Sequence, residues 1–410
     1  MKPLRQPIWL WALCFTQTGT ILVFLNFAGA LPLIKAEWGI SNAAAGAIQA
    51  ATQIGYLLSV PVLSSLTDFM PPQRLLVAGA LGAALANLAF AKLATGVESA
   101  ILWRMLTGSG VAAIYMPGVK IIAQRLPLAR RGRAMGLFVA SFTIGSATSV
   151  SLSGSLAAWL GWRAALGLMS LGPFLGALAG WRVARHPAPN ILPQDGEVET
   201  SGSAWELLHN RDALLVIATY SAHVWELFGL RTWLPAFMTA VFLYGGAELT
   251  AATRQGANVA GLATLLGALS IVLAATASDR FGRTPTIRVI SGLGFLSTIF
   301  LGFMRTWSQA LVIPAALVTT FLATADSAVI STALTETVPQ AYLGRALAVY
   351  SFSGFLAGSL SPLLFGAVQD RTGESWRWAF AALALGGLTA LGGATLLRRR
   401  ARAGRSVLTL

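Results

Sequence analysis

The sequence predicts an all-α membrane protein with twelve transmembrane helices in two pseudo-symmetric six-helix bundles. Three observations lead to this fold class: the composition, the spacing of the apolar runs and an internal repeat. Hydrophobic residues make up 55% of the 410-residue chain and charged residues only 11%, whereas a soluble domain carries about 25% charged residues. So few charges leave most of the surface apolar, and a lipid bilayer is the environment that accepts such a surface.

Apolar runs long enough to cross a bilayer occur twelve times. A transmembrane helix needs about 20 predominantly apolar residues. The runs lie at 8–34, 43–66, 74–93, 98–124, 134–160, 162–183, 211–243, 253–277, 286–304, 308–336, 345–369 and 375–397. The first run follows Lys2 and Arg5, as a signal peptide would. It is too long for the apolar region of a signal peptide and lacks an obvious cleavage site, so we expect a retained helix.

Lysine and arginine are distributed unevenly between alternate connections. With the N-terminus in the cytoplasm, the cytoplasmic segments hold 19 of them and the outer loops hold 7. Short cytoplasmic loops of membrane proteins are enriched in these residues. The distribution therefore predicts that both termini are cytoplasmic, and we expect a bacterial inner membrane. It also accounts for the net charge of +14 without nucleic acid, because the basic residues do not share one soluble face.

The two halves of the chain repeat each other at offsets of 211 to 214 residues. Three pairs of segments match: TDFMPPQR (67–74) with SDRFGRTP (278–285), RLPLARRGRAMG (125–136) with TVPQAYLGRALA (337–348), and GWRAALGLMSLG (161–172) with SWRWAFAALALG (375–386). Between the halves lies one long polar stretch that is rich in proline, glycine and acidic residues. We therefore predict a first bundle at 1–183, a cytoplasmic linker at 184–210 with a short interfacial helix near 205–208, and a second bundle with a basic tail at 211–410.

An Asp-Arg-x-Gly-Arg sequence, formed by Asp279, Arg280, Gly282 and Arg283, connects spans eight and nine. Two six-span halves with this sequence in that loop resemble the major facilitator superfamily of secondary transporters over nearly the whole chain. In that family the carboxylate and the arginines of this loop bridge neighbouring helix ends, so the resemblance implies a gating role for these four residues. The first-half loop keeps Asp68 but departs from the family pattern at 69–72, which implies a weaker gate there. The alternative is a set of ordinary positive-inside charges.

Span four resembles a second element of the family, an arginine followed by glycines. The segment RMLTGSGVAA begins at Arg104, and Tyr115 lies eleven residues further on, close to three whole turns, so the two share a helix face. A charge near the middle of a bilayer is costly and normally faces a cavity or a partner. We predict that Arg104 and Tyr115 line a substrate cavity. The alternative is that Arg104 extends to the outer interface.

Uncharged polar residues form stripes in the first two spans. Gln49, Gln53 and Tyr56 recur at helical spacing in span two, and Gln17 lies in span one. Their side chains could hydrogen-bond a solute, and we predict them as substrate-binding residues. Such groups also join helices to each other, with an average contribution of about 0.6 kcal/mol each.

Three ionisable residues of the second half are candidates for proton coupling. His223 and Glu226 lie one turn apart in the first span of that half, and Asp326 is isolated in span ten. Histidine changes charge near physiological pH, and a dehydrated site favours the neutral form of a glutamate, so the pair could carry a proton. The alternative is a neutral His–Glu pair that locks two helices together. We expect Asp326 to face Arg104 or Lys120 across the cavity.

These features favour a secondary active transporter that works by alternating access, is coupled to protons, and moves a small organic or inorganic anion. The anion follows from the excess of embedded basic residues (Arg104, Lys120, Arg231) over acidic ones (Glu226, Asp326). A proton-driven drug or metabolite exporter is the alternative among transporters, although span five lacks the Gly-Pro-rich signature of such exporters. A transport-inactive membrane sensor is the alternative of another class.

An enzyme is not expected, because the sequence shows no phosphate loop, nucleophile elbow or metal-ligand cluster. The single cysteine, Cys14, excludes an internal disulfide. We expect no cofactor and no nucleic-acid partner. The expected partners are the solute, protons and the bilayer, and we expect a monomer.

Overall fold

The computed structural model describes residues 7–185 and 204–403, apart from the side chains of residues 68, 128, 129 and 204–206. Within these ranges the regular elements are sixteen α-helices and two short 3₁₀ turns. The all-α prediction is confirmed. Most of the expected linker at 184–210, both chain ends and the side chain of Asp68 lie outside the described residues.

In the described part of the chain, each half of the sequence contributes eight helices. Those of the first half are α1 (Ile8–Ile21), α2 (Asn26–Trp38), α3 (Asn42–Phe69), α4 (Pro72–Leu93), α5 (Val97–Arg125), α6 (Leu128–Leu160), α7 (Trp162–Met169) and α8 (Leu171–Arg185). Those of the second half are α9 (Ala204–His209), α10 (Arg211–Tyr244), α11 (Leu249–Phe281), α12 (Arg283–Phe303), α13 (Gln309–Ala325), α14 (Ser327–Thr337), α15 (Leu343–Arg371) and α16 (Trp376–Arg402).

Twelve helical segments of the described residues are long and apolar enough to cross a bilayer, and they agree with the twelve predicted spans. Three of these segments contain a break that the apolar pattern does not indicate: α1 ends before α2, α7 before α8, and α13 before α14. A broken helix leaves backbone groups that need partners, since hydrocarbon supplies none. The breaks are therefore where polar side chains are expected to gather.

Unit 1, the first of two compact units, comprises residues 7–40, 51–185 and 248–261 within the described chain. Its core is formed by α1, α4, α5, α6 and α8 around side chains such as Leu13, Leu76, Ile114 and Phe138. Close packing relies on small residues, as is usual for helices in lipid. At Gly19, for example, an added Cβ would lie 2.5 Å from the carbonyl oxygen of Gly172.

The segment 248–261 brings the start of α11 into unit 1, although it belongs to the second half of the sequence. It packs on α6 so closely that a Cβ at Gly154 would collide with Ala257. Beside this contact, the Ser155 hydroxyl donates to Asn258 Oδ1 at 3.2 Å. The first turns of α11 are therefore held by a helix of the other half.

Unit 2 comprises residues 41–50, 204–247 and 262–403 within the described chain, and its core lies between α10, α14, α15 and α16. The segment 41–50 is the start of α3. The Asp370 carboxylate at the end of α15 accepts hydrogen bonds from the backbone N–H groups of Asn42 (2.9 Å) and Ala43 (2.8 Å). It thereby satisfies donors at the start of a helix, which have no partner within that helix.

The expected division into bundles at 1–183 and 211–410 remains a prediction. The two compact units have other boundaries than these bundles. Unit 1 includes the first turns of α11 from the second half of the sequence, and unit 2 includes the first turns of α3 from the first half.

Candidate functional site

A buried histidine–aspartate pair lies at the break between α13 and α14 in unit 2. Asp326 occupies the break itself, and its Oδ1 lies 2.7 Å from Nδ1 of His223 on α10. The other carboxylate oxygen accepts a hydrogen bond from Ser291 of α12 at 3.2 Å. His223 and Asp326 are each 4% exposed. Three helices therefore hold one ionisable pair away from solvent.

The hydroxyl of Ser327 contacts the ring nitrogen of His223 that does not face Asp326. Its Oγ lies 2.8 Å from Nε2 of His223 and 2.9 Å from the carbonyl oxygen of Thr324. A hydroxyl has one proton to donate. If that proton goes to Nε2, Nε2 accepts it. If it goes to the carbonyl, Nε2 carries a proton and donates to Oγ. The contacts of Ser327 therefore suit either tautomer of the His223 ring.

Glu226 lies next to this cluster and is likewise 4% exposed. Its Oε1 accepts a hydrogen bond from the hydroxyl of Thr298 on α12 at 2.5 Å. His223, Glu226 and Asp326 together line a cavity of about 10 Å³, which is close to the minimum that one water molecule requires. Gly387 lets α16 approach this side of α10, because an added Cβ there would lie 2.9 Å from Glu226 Oε2.

The structure corrects two of the expected pairings of these residues. The two ring nitrogens of His223 contact Asp326 and Ser327. His223 therefore pairs with these residues and not with Glu226. Asp326 pairs with His223 rather than with Arg104 or Lys120. Its proximity to His223 could not be read from the sequence, because it arises from the packing of helices about one hundred residues apart.

Arg104 is fully buried in unit 1, where it hydrogen-bonds oxygen atoms at the break between α1 and α2. Its guanidinium donates to the carbonyl oxygens of Val23 (3.0 Å) and Phe24 (2.9 Å) and to Asn26 Oδ1 (2.9 Å). The structure therefore places Arg104 on a helix break and not on a cavity wall, and its full burial excludes the interfacial alternative. The reason for the difference is that the sequence pattern did not indicate a break in the first span.

We expect Arg104→Ala to lower the unfolding temperature of the detergent-solubilised protein strongly. The substitution leaves several buried acceptors without a donor, at about 1–3 kcal/mol for each. The unfolding temperature of Arg104→Lys should lie between those of Arg104→Ala and the wild type, because an ammonium keeps donors but lacks the planar fork of a guanidinium. Thermal unfolding followed by tryptophan fluorescence measures the effect, with Arg182→Ala, at an exposed arginine of α8, as the control. Equal unfolding temperatures for Arg104→Ala and the wild type would refute this role.

The remaining predicted substrate-binding residues differ in what they contact. Tyr115 stacks on Phe138 at 5.8 Å between ring centroids, within the core of unit 1. Gln17 donates to the carbonyl oxygen of the same Phe138 at 3.0 Å, and its own Oε1 has no partner among the described residues. Gln49 is buried in unit 2, and Tyr56 contacts Phe24 edge-on at 6.3 Å.

Gln53 differs from these residues in having no hydrogen-bond partner for either its amide oxygen or its amide nitrogen among the described residues, although it is 1% exposed. Buried polar groups without partners are rare and costly in folded proteins. Gln53 is therefore the residue of this predicted group for which both ends of the side-chain amide lack a described partner.

The predicted gating residues lie at the turn between α11 and α12. Gly282 has a φ of +88°, a backbone conformation that favours glycine and accounts for this residue in the signature. Arg283 forms ion pairs with Asp279 at 2.5 Å and with Glu336 of α14 at 3.0 Å. Arg280 lies over the ring of the adjacent Phe281, at 5.3 Å from its centroid.

Glu336 was not predicted as a member of this cluster. The sequence offered one signal for it: Glu336 directly precedes the repeated segment 337–348, whereas Gln124 precedes the matching segment of the first half. In the first half, Lys120 donates to the carbonyl oxygen of Thr67 at 2.8 Å, at the end of α3.

A second cavity, in unit 1, contains none of the predicted site residues. It measures about 640 Å³, and α1, α6 and α8 line it with mostly apolar side chains such as Trp11, Phe15 and Ile144. Arg182 is its one charged lining residue. Ionisable side chains buried within membrane spans are costly and favour a functional role, so the cluster of unit 2 is the better candidate site.

Twelve apolar helices that enclose buried ionisable side chains define a multi-pass membrane protein. The family model of the Major Facilitator Superfamily matches residues 13–362 and 247–408, and the chain belongs to this superfamily. It is therefore a transporter and not an enzyme.

Relatives and solved structures agree with this assignment. The chain is 25% identical to a gallate transporter of Pseudomonas putida over 348 residues, which cover 76% of this chain and 75% of that protein. It is 25% identical to a probable sulfoacetate transporter of Cupriavidus necator over 374 residues, 85% of this chain and 84% of that protein. A solved bacterial homologue of the human lysosomal transporter Spinster is similar with a TM-score of 0.81 at 15% identity, over 96% of this chain and 98% of that chain, which shows the fold alone.

Proposed function

We propose that this transporter couples the movement of a small organic anion to protons by alternating access. The observation that carries the proposal is the buried His223–Asp326 pair, two ionisable side chains 2.7 Å apart within the membrane spans, with Ser327 on the other ring nitrogen. A coupling site must bind and release a proton without losing its structure. Intramembrane ionisable residues are costly, so their presence favours a functional role.

Glu226 is the second carboxyl of the proposed coupling site. It shares the small cavity with His223 and Asp326, and one water molecule there would connect the two carboxyls. Proton binding at this cluster would favour one arrangement of α10, α12 and α13 over another, because it changes their hydrogen bonds. Coupling requires such a difference in proton affinity between two states.

The chemistry of the relatives supports an organic anion as the solute. Gallate carries a carboxylate at neutral pH, and sulfoacetate carries a carboxylate and a sulfonate. Movement of a proton with such an anion reduces the net charge that crosses the membrane. Gln53, whose amide has no described partner, is a proposed hydrogen-bonding residue for the solute, together with Gln17, Gln49, Tyr56 and Tyr115.

We further propose that both chain ends lie in the cytoplasm of a bacterium and that the protein resides in its inner membrane. The excess of basic residues in alternate connections supports this orientation. In that orientation the cluster of Asp279, Arg283 and Glu336 lies at the cytoplasmic ends of α11, α12 and α14, where its ion pairs would hold one state of the cycle.

In proteoliposomes we expect uptake of gallate or sulfoacetate that depends on an imposed pH gradient. The expected direction is accumulation on the alkaline side, because protons move down their gradient with the anion. Radiolabelled solute measures uptake, and a protonophore and protein-free liposomes are the controls. Binding of the anions without flux would instead support the sensor, and uptake that is unchanged by the protonophore would refute proton coupling.

A further inference from the structure

Arg231 is a cation within a membrane span that has no partner among the described residues. It lies on α10, about 5 Å beyond the midpoint of this 34-residue helix. The side chain is half-buried, and its Nε is enclosed without a hydrogen-bond partner among the described residues. Nothing in the described chain neutralises this charge by direct contact.

The other two cations that the sequence places within spans have partners. Arg104 donates to carbonyl oxygens at the break between α1 and α2. Lys120 donates to the carbonyl oxygen of Thr67. These two residues are therefore held by the protein itself, and Arg231 is the member of the set whose donors remain available.

Glu226, the acid nearest to Arg231 along the same helix, is not positioned to neutralise it. The two residues are five positions apart, which places them about 140° from each other around the helix. The Glu226 carboxyl is directed to Thr298 of α12 instead. A counter-charge from α10 itself is thereby excluded.

The backbone at Arg231 is also unusual. Pro235 lies four residues further on inside α10 and has no N–H, so the carbonyl of Arg231 lacks its normal helical donor. Helices bend at such positions. In transporters, interrupted segments near the middle of the membrane are the best sequence indicator of the solute site.

A guanidinium in this position requires an acceptor, since an unpaired charge away from water is strongly unfavourable. Its planar fork of donors matches a carboxylate with two parallel hydrogen bonds. We propose that Arg231 binds the carboxylate of the transported anion and so selects anionic over neutral solutes. This inference rests on the proposed function, and it assigns the substrate charge to one residue.

Arg231 and His223 both lie on α10, so the proposed anion site and the proposed proton site share one helix. His223 lies eight residues earlier, about 12 Å along the axis of α10 and about 80° around it. An anion on Arg231 and a proton on the His223–Asp326 pair would therefore both act on α10, and the bend at Pro235 lies beside the anion. This arrangement provides a physical route for the coupling.

The test compares Arg231→Gln, Arg231→Lys and the control Arg305→Gln, at an exposed arginine after α12, in two assays. The first is the rise in unfolding temperature with gallate or sulfoacetate, which needs no transport. The second is the KM for gradient-driven uptake of the same anions. We expect Arg231→Gln to weaken binding and raise KM about tenfold to hundredfold, as for the loss of hydrogen bonds to a charged group. Arg231→Lys should show a smaller loss, because it keeps the charge without the fork.

Methyl gallate, which has an ester in place of the carboxylate, should compete poorly with gallate in the wild type. In Arg231→Gln this discrimination between acid and ester should largely disappear. A general structural defect would not change the selectivity in this way.

The outcomes separate the two proposals. If the wild type accumulates an anion and Arg231→Gln keeps its KM and its discrimination against the ester, the role of Arg231 is refuted and the proposed function stands. If the wild type binds the anions through Arg231 but shows no gradient-driven uptake, the transport proposal fails and the anion site stands. If the wild type neither binds nor transports these anions, both are refuted.

Discussion

Asp326→Asn is expected to abolish gradient-driven accumulation of the anion while exchange between equal pools continues. Asparagine keeps the shape of the side chain and can still accept a hydrogen bond from His223, but it cannot bind a proton. A proton on the buried His223 would then have no counter-charge, so its binding becomes costly, and the imposed pH gradient could no longer drive the cycle. The measurement is a comparison of uphill uptake with counterflow in proteoliposomes of the same preparation.

Two companion substitutions distinguish the roles of the neighbouring residues. Glu226→Gln should also abolish accumulation and retain exchange if both carboxyls take part in proton transfer. His223→Ala should shift the pH optimum and retain partial coupling, because Asp326 keeps its carboxyl. Glu98→Gln, at an exposed acid near the start of α5, is the control and should leave both assays unchanged.

Normal accumulation with normal pH dependence in Asp326→Asn would show that the His223–Asp326 pair is only a structural link between α10 and the break after α13. If Glu226→Gln alone lost accumulation, the coupling site would consist of Glu226, and the serine–histidine–aspartate contacts would serve to position α10. Loss of exchange together with accumulation would indicate that the substitution blocks the cycle itself.

The fold was predictable because its causes are local or periodic. Apolar runs of bilayer length and a repeat at about 212 residues are both present in the amino-acid sequence, and the twelve membrane-length helices of the described residues follow from them. The helix breaks were not predictable in the same way. The first span is apolar throughout the segment where α1 ends, so the carbonyl oxygens of Val23 and Phe24 gave no sign that they would need Arg104.

The ionisable residues of the candidate site were found individually, since a charge within an apolar run stands out. Their partners were not, because pairing depends on which helices pack together. Gly386 and Gly387 permit the close approach of α16 to α10 that helps to enclose Glu226. The break after α13 places Asp326 beside His223. Neither effect has a signature in the spacing of the residues themselves.

A disulfide between Ser155→Cys and Asn258→Cys is expected to stop transport completely and reversibly. In unit 1 these side chains are hydrogen-bonded at 3.2 Å, where the first turns of α11 pack on α6. Each unit contains the first turns of one helix from the other half of the sequence, so alternating access should require these turns to leave their partners. A covalent link between α6 and α11 would prevent that separation.

The experiment uses a Cys14→Ser background, which removes the single native cysteine. Oxidation should abolish uptake, and reduction with dithiothreitol should restore it, which excludes irreversible misfolding. Thr18→Cys with Ser141→Cys links α1 to α6, two helices of the first half that already share a hydrogen bond of 3.1 Å, and should leave transport largely intact. In unit 2, Asn42→Cys with Asp370→Cys tests the corresponding contact of α3 with α15 and should behave like the first pair. Continued turnover of fully cross-linked protein would mean that these helix ends stay together throughout the cycle, and the conformational change would then have to take place elsewhere in the helices.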